Sequence, residues 1–183
     1  MTEREKMLSG ALYDASDADL TAARARARDL VRTYNALSES AQSERRAALR
    51  GLLGGVGERV EVVPPFQVDY GLYVTLGDDV FLNFNCVILD TCAVRVGART
   101  LVGPGVQFYA ATHPTDPAVR RSGLELGAPI TVGENVWIGG GAILLAGITI
   151  GEDSVIGAGS VVTRSVPAGV LAAGNPCRVV RAL

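Results

Sequence analysis

From Ile130 onward the chain repeats a hydrophobic position every six residues: Val132, Ile138, Leu144, Ile150, Ile156 and Val162. Glycine follows four of them, at Gly133, Gly139, Gly151 and Gly157. Four residues after each aliphatic comes a second register of small or branched side chains, Val136, Ala142, Ile148, Ser154, Ser160 and Val166. A helix of period 3.6 cannot keep this phase, and neither can an open-ended alternation of two. Short extended runs broken by turns can. The spacing predicts one short strand per hexad, its aliphatic turned inward and a glycine or small polar residue accommodating the corner. Three such strands close one triangular coil.

Upstream the pattern persists at lower fidelity, as Leu76, Leu82 and Ile88, then Val96, Val102 and Phe108. The step from Ile88 to Val96 is eight, so two residues are inserted near 90–94, a bulge at a corner or at a site. Cys86 and Cys92 fall in the small inward register and are expected to be core thiols. Between Phe108 and Val132 the phase is kept, yet Pro114, Arg120 and Leu126 stand where inward aliphatics belong. Residues 113–129 are therefore an excursion from the coil, and loops of that length in compact folds are functional or disordered. The excursion opens on His113, the one histidine of the chain.

The first 55 residues differ in kind. Leu20, Ala23, Ala27, Leu30, Val31 and Tyr34 follow helical spacing, with Asp17 or Asp19 as a cap. A second helix is expected over 43–53, and Gly54, Gly55, Pro64 and Pro65 mark the passage to extended structure. The expected organisation is a helical segment over 1–55 and a β-coil over 56–183, closed by 167–183.

Composition narrows the function. The 183 residues suit one domain with a real core, and aromatics are scarce at 5%. A net charge of -2 gives no footprint for nucleic acid. Arg24, Arg26, Arg28 and Arg32 are interspersed with acids and lack interleaved aromatics, as on a solvated helix face. Three cysteines without ligand spacing and one histidine make no usual metal set. The start MTEREKML is too charged for a secretory leader, and no apolar run approaches the roughly 18 residues of a membrane span. A soluble cytoplasmic protein without metal is expected.

The hexads, written [LIV]-G-x-x-small-x, resemble the repeat of the left-handed parallel β-helix acyltransferases. Four stretches together, EKMLSGALYDASDADL, DYGLYVTLGDDVFLNFNCVILD, ATHPTDPAVRRSGLELGAPITVGENVWIGGGAI and VLAAGNPCRVVRAL, are similar to the maltose, galactoside and nodulation O-acetyltransferases over nearly the whole chain. The resemblance implies a mainly β fold whose hand departs from the usual crossover rule. It also implies a homotrimer with active sites between subunits, and direct transfer from acetyl-CoA to a sugar hydroxyl in a ternary complex, with maltose or glucose favoured as acceptor.

Such a transfer needs a base for the hydroxyl proton, a slot for the pantetheine arm and donors near the developing oxyanion. His113 matches the family's catalytic histidine, and a histidine's ordinary pKa of about 6.5 suits a base near neutrality. Asn83 of the NFN motif matches the acceptor-binding asparagine; a turn residue at a coil corner is the other reading. Asp69 lies at an acceptor-contact position, while Glu125 of the excursion orients His113 or binds a hydroxyl; either carboxylate is otherwise merely solvated. Trp137, Gly140 and Ala158 correspond to the arm groove, and Thr163, Arg164, Arg178 and Arg181 to the phosphate end, where arginine forks fit phosphate. Cys177 is not a nucleophile in direct transfer. Thr91 stands where galactoside members carry an acidic acceptor contact, which weakens galactoside as acceptor. Two other readings share the scaffold: acetylation of a different hydroxyl, such as an antibiotic's or serine's, and a β-helix binding module without activity.

Overall fold

A computed structural model describes residues 1–183. Three helices come first: α1 (Glu3–Ser9), α2 (Ala18–Ala36) and α3 (Gln42–Leu52). The Asp17 carboxylate accepts from the Asp19 and Leu20 amides and so caps α2. Helix α1 was not evident from periodicity because it has barely two turns. Its signal is the capping box of Thr2 and Glu5, which satisfies two end amides reciprocally, with Gly10 at φ 77° closing it.

The rest is a parallel β-helix of triangular cross-section. Its first face stacks Gly55–Val56, Val74–Leu76, Val94–Val96, Ile130–Val132 and Thr149–Ile150. The second stacks Glu61–Val62, Phe81–Leu82, Leu101–Val102, Trp137–Ile138, Val155–Ile156 and Val170–Gly174. The third stacks Phe66–Val68, Cys86–Leu89, Gln107–Tyr109, Ile143–Leu145 and Val161–Val162. A complete coil thus precedes the Leu76 at which the hexad pattern becomes readable. Its strands, interrupted by Pro64 and Pro65, are too short to show a period alone.

Register explains the repeat. On the second face Val62, Leu82, Val102, Ile138, Ile156 and Ala172 pair in sequence, all buried, as one inward column. On the third, Val68, Ile88, Phe108, Leu144 and Val162 do the same. Each added coil buries further aliphatic side chains, at about 1.5–3 kcal/mol apiece before the ordering entropy is set against it. Cys86 and Cys92 are both buried, as their register predicts. Cys177 is buried as well, where the chain turns back from Val170–Gly174 into the antiparallel strand Cys177–Ala182 and ends the second face.

The outer surfaces differ. Facing out on the first face are Thr75, Arg95, Thr131 and Thr149; on the second Glu61, Phe81, Leu101, Trp137, Val155 and Leu171; on the third Gln67, Val87, Leu89, Gln107, Tyr109, Ile143, Leu145 and Val161. The first face is polar and the other two are mainly apolar.

Close stacking is tight where the second face turns into the third. A Cβ on Gly139 would lie 2.5 Å from the Ala158 amide nitrogen of the next coil. Gly139→Ala is therefore expected to lower stability by about 1–3 kcal/mol, the cost of forcing atoms into a packed region. Thermal unfolding checks this, with Gly51→Ala as the control because nothing lies within 4 Å of its added methyl.

Candidate active site

The corner from the third face to the first carries the imidazole and the carboxylates expected beside it. In the first coil it carries Asp69, in the second Asp90 and Thr91, and in the third the excursion. The excursion leaves as Ala111–Thr112 and returns as Leu126–Gly127, an antiparallel ribbon pairing Ala111 with Gly127 and Thr112 with Leu126. Between them a single helical turn, Pro117–Arg120, is capped by Asp116, and Arg120 donates to the Pro114 and Thr115 carbonyls at 3.0 Å. His113 follows the outgoing ribbon strand directly and is exposed. Glu125 precedes the returning one and is half-buried.

Around this corner the N-terminal segment packs from outside. Met7, Tyr13, Leu20 and Tyr70 form a small separate core. Arg24 donates to the Tyr70 hydroxyl at 2.7 Å with its guanidinium 5.6 Å from the ring centre, a cation–π arrangement. Burial pushes the Asp69 carboxyl up, the charges of Arg24 and Arg28 act against that, and Glu125 adds to it. Asp69 and Glu125 thus feel each other's charge.

Asp90 occupies the predicted two-residue insertion. It is wholly buried, and its two oxygens accept from the Tyr70 amide at 2.9 Å and the Tyr73 amide at 3.2 Å. Burial pushes its carboxyl up to about 6, against the downward pull of these main-chain donors. Asp90 therefore binds the corner of the coil below, a structural role. The neighbouring Thr91 is also buried, and its hydroxyl has no hydrogen-bond partner.

Asn83 sits at a different corner, from the second face to the third. Its side-chain oxygen accepts from the Phe84 amide at 2.8 Å, leaving the amide N–H groups as free donors. By register, Gly103, Gly139 and Gly157 follow Asn83 in the coils above, and Gly157 stacks on Ala173, the partner of Arg178. The adjacent column runs Phe84, Pro104, Gly140, Ala158, tied by hydrogen bonds from Gly105 to Phe84, Gly141 to Pro104 and Gly159 to Gly140. A track with few side chains thus leads from Asn83 past Gly140 and Ala158 toward Arg178. Exposed Trp137 belongs to the outer stripe beside it, together with Phe81, Leu101, Val155 and Leu171, which sequence reasoning did not single out. Their signal is the residue preceding each inward aliphatic of the second face.

Arg178 and Arg181 are exposed, and their guanidinium groups donate to the main-chain oxygens of Cys177 and Ala182. Thr163 and Arg164 are exposed after the last strand of the third face. One chain therefore places His113, Asp69 and Glu125 on one edge of the prism, and Asn83, Gly140, Ala158 and Arg178 on another.

This is the architecture of a β-helix acyltransferase. Residues 6–57 match the maltose acetyltransferase hexapeptide capping motif, and residues 129–164 the bacterial transferase hexapeptide of six repeats. Nodulation protein L of Rhizobium meliloti (strain 1021) is 48% identical over 178 residues, 97% of each chain. A maltose O-acetyltransferase from Clostridium difficile 630 superposes with a TM-score of 0.99 at 45% identity, over 100% of this chain and 98% of its own. A hexapeptide-repeat acetyltransferase from Vibrio cholerae O1 biovar eltor, solved with acetyl coenzyme A, gives 0.93 at 38% identity over 100% and 99%. The chain belongs to the hexapeptide-repeat acetyltransferases of left-handed parallel β-helix fold, in the maltose O-acetyltransferase and nodulation protein L group. It is an acetyltransferase, and a galactoside acetyltransferase solved with coenzyme A also superposes on it, with a TM-score of 0.96 at 36% identity over 100% of this chain and 91% of its own.

Because Asp90 is raised from an ordinary 3.8 to about 6, its contribution to stability is full below the unfolded value and is lost as pH rises through about 6. Between roughly pH 4 and 6.5 the wild-type melting temperature is expected to fall relative to that of Asp90→Asn, which cannot ionise. Calorimetric scans of both proteins across this range check it; parallel curves would mean the carboxyl ionises as freely as in the unfolded chain.

Proposed function

We propose that the protein transfers acetyl from acetyl-CoA to a hydroxyl of a maltose- or glucose-like sugar, with His113 as general base. The observation that carries this reading is the placement of His113 and Asn83 on the two edges that flank the third face. That face is mainly apolar, presenting Val87, Leu89, Ile143, Leu145 and Val161 beside Gln67, Gln107 and Tyr109, and packing it around a threefold axis sets the Asn83 edge of each copy against the His113 edge of the next. The homotrimer then completes three equivalent sites between its subunits.

In that site the free amide of Asn83 holds the acceptor beside the base, with Asp69 and Glu125 accepting hydrogen bonds from further hydroxyls. The His113 imidazole takes the hydroxyl proton as the new C–O bond forms and the C–S bond breaks, and returns it to the departing sulfur. Direct transfer needs no acyl-enzyme, in keeping with three buried cysteines, of which burial holds Cys86 at about 11. Bare glycines at 103, 139 and 140 leave room for the arm, with Trp137 and Ala158 beside it. At its far end Arg178 and Arg181 of the second face, with Thr163 and Arg164 from the facing edge of the next copy, supply phosphate donors. Glucose-like acceptors are favoured over galactosides because Thr91, buried at the base of the excursion, offers no carboxylate. The runner-up is another hydroxyl acceptor on the same machinery.

Thiol release from acetyl-CoA against a panel of sugars, antibiotics and serine tests the reading. His113→Ala is expected to lower transfer by roughly 100- to 10,000-fold with coenzyme A affinity nearly unchanged; retained turnover removes the base assignment. Arg178→Ala is expected to weaken coenzyme A by about 1.5–3 kcal/mol, less for an analogue without the contacted phosphate, and to leave the sugar unaffected. Calorimetric titration separates these, since equal losses for every ligand mean that Arg178 supports the fold. Sedimentation of the active species checks the trimer, and an active monomer rules out the shared site.

A further inference from the structure

The excursion that carries His113 is joined to the rest of its own coil only by the ribbon at its base, yet it is not free. Tyr13, in the turn between α1 and α2, makes an antiparallel bridge with Glu125: each amide donates to the other's carbonyl at 3.0 Å. The Tyr13 hydroxyl then donates to Glu125 Oε2 at 2.9 Å. Tyr13 is 1% exposed and packs with Met7, Leu20 and Tyr70. The same segment presses on the ribbon and on the coil corner beside it. Gly10 lies so close that an added Cβ would be 2.9 Å from the Gly127 carbonyl oxygen, and Cys92 Sγ donates to the Met7 carbonyl at 3.1 Å.

We propose that Tyr13 is a positioning residue: its phenol latches the Glu125 carboxylate, and through it the His113 loop, to the N-terminal helices. The proposal rests on His113 acting in transfer, but the latch itself does not. A buried phenol beside a carboxylate is suited to the task. Desolvation, and then the charge of Glu125, push the Tyr13 hydroxyl up, so it remains a donor throughout the working range. Its bond to a charged acceptor belongs to the stronger class of hydrogen bonds. It occupies one Glu125 oxygen and leaves the other for an acceptor hydroxyl. The anchoring side is rigid: Arg24 ties Tyr70 to the Ala15 carbonyl, and Arg4 bonds both Asp19 and the Tyr73 hydroxyl. The helical segment is thereby part of the site without touching the reacting atoms.

Tyr13→Phe keeps the ring in its small core and deletes only the latch. Two measurements test it. Limited trypsin digestion reads loop opening through exposed Arg120 and Arg121. The variant is expected to be nicked there roughly tenfold faster than wild type, the effect of losing one hydrogen bond to a charged group, with its global melting temperature little changed. Steady-state transfer is expected to lose roughly tenfold in kcat/KM for the acceptor while the KM for acetyl-CoA holds. Adding Tyr13→Phe to Glu125→Gln is expected to cost less than the two separate losses combined, because Tyr13 acts through Glu125. An unchanged nicking rate, or fully additive kinetic losses, overturns the latch. A wild type that acetylates no sugar defeats the sugar assignment instead, and the trypsin comparison still decides the latch.

Discussion

Everything in this protein depends on stacking successive coils in register. An inward side chain of one coil rests on the equivalent side chain of the next, as Ile88 does on Phe108 and Phe108 on Leu144. At the corners the backbones approach so closely that glycine is required at 103 and 139. Such a stack has no slack along its perimeter. A residue added to a strand would turn every later side chain of that coil to the wrong face. Extra residues are admitted only at corners, where they must leave the coil or be fastened down.

The chain confines them to a single corner. The step from Val68 to Leu76 is eight, that from Ile88 to Val96 is eight, and that from Phe108 to Val132 is twenty-four, and all three span the turn from the third face to the first. That edge therefore bears Asp69, Asp90 and His113 on successive coils. The opposite tendency governs the edge of Asn83, where hexads run without insertion and the corner is pared to glycine. One edge takes up the residues that leave the coil while the other is pared to glycine, and a mainly apolar face lies between them.

The added residues at the crowded edge need support that the coil does not supply. Asp90 provides it from within, bonding Tyr70 and Tyr73 main-chain amides at the cost of burying a carboxyl. The N-terminal helices provide it from outside, with their own core of Met7, Tyr13, Leu20 and Tyr70. Arg24 and Arg28 offset part of the penalty of bringing Asp69 and Glu125 together. The α1 region meets the coil at the edge where His113 lies, while α2 and α3 pack on the first coil, with Val31, Tyr34, Leu49 and Leu52 in the main core.

Sequence alone determined the coil, because burial at a fixed six-residue spacing is a local property repeated often enough to be read: Val132 through Val162 announce it without any partner. It also determined that the segment after Phe108 leaves the coil, expected over 113–129 and found between the ribbon strands at 111–112 and 126–127, and that two residues are inserted near Asp90. The phase of the coil at 55–68 could not be read, although a β-coil from 56 was expected, since strands of two or three residues broken by prolines carry too few inward positions to establish it. Helix α1 escaped because seven residues show no amphipathic period. The grouping of the site residues was decided by tertiary structure. His113 and Asn83 are thirty residues apart in the chain, and only the assignment of each corner to an edge shows that they flank one face. The tie between Tyr13 and Glu125 spans 112 residues and joins a helical turn to a loop, neither of them periodic. A repeat is legible because each copy restates the same burial rule, whereas contacts between unlike segments are written nowhere in either one.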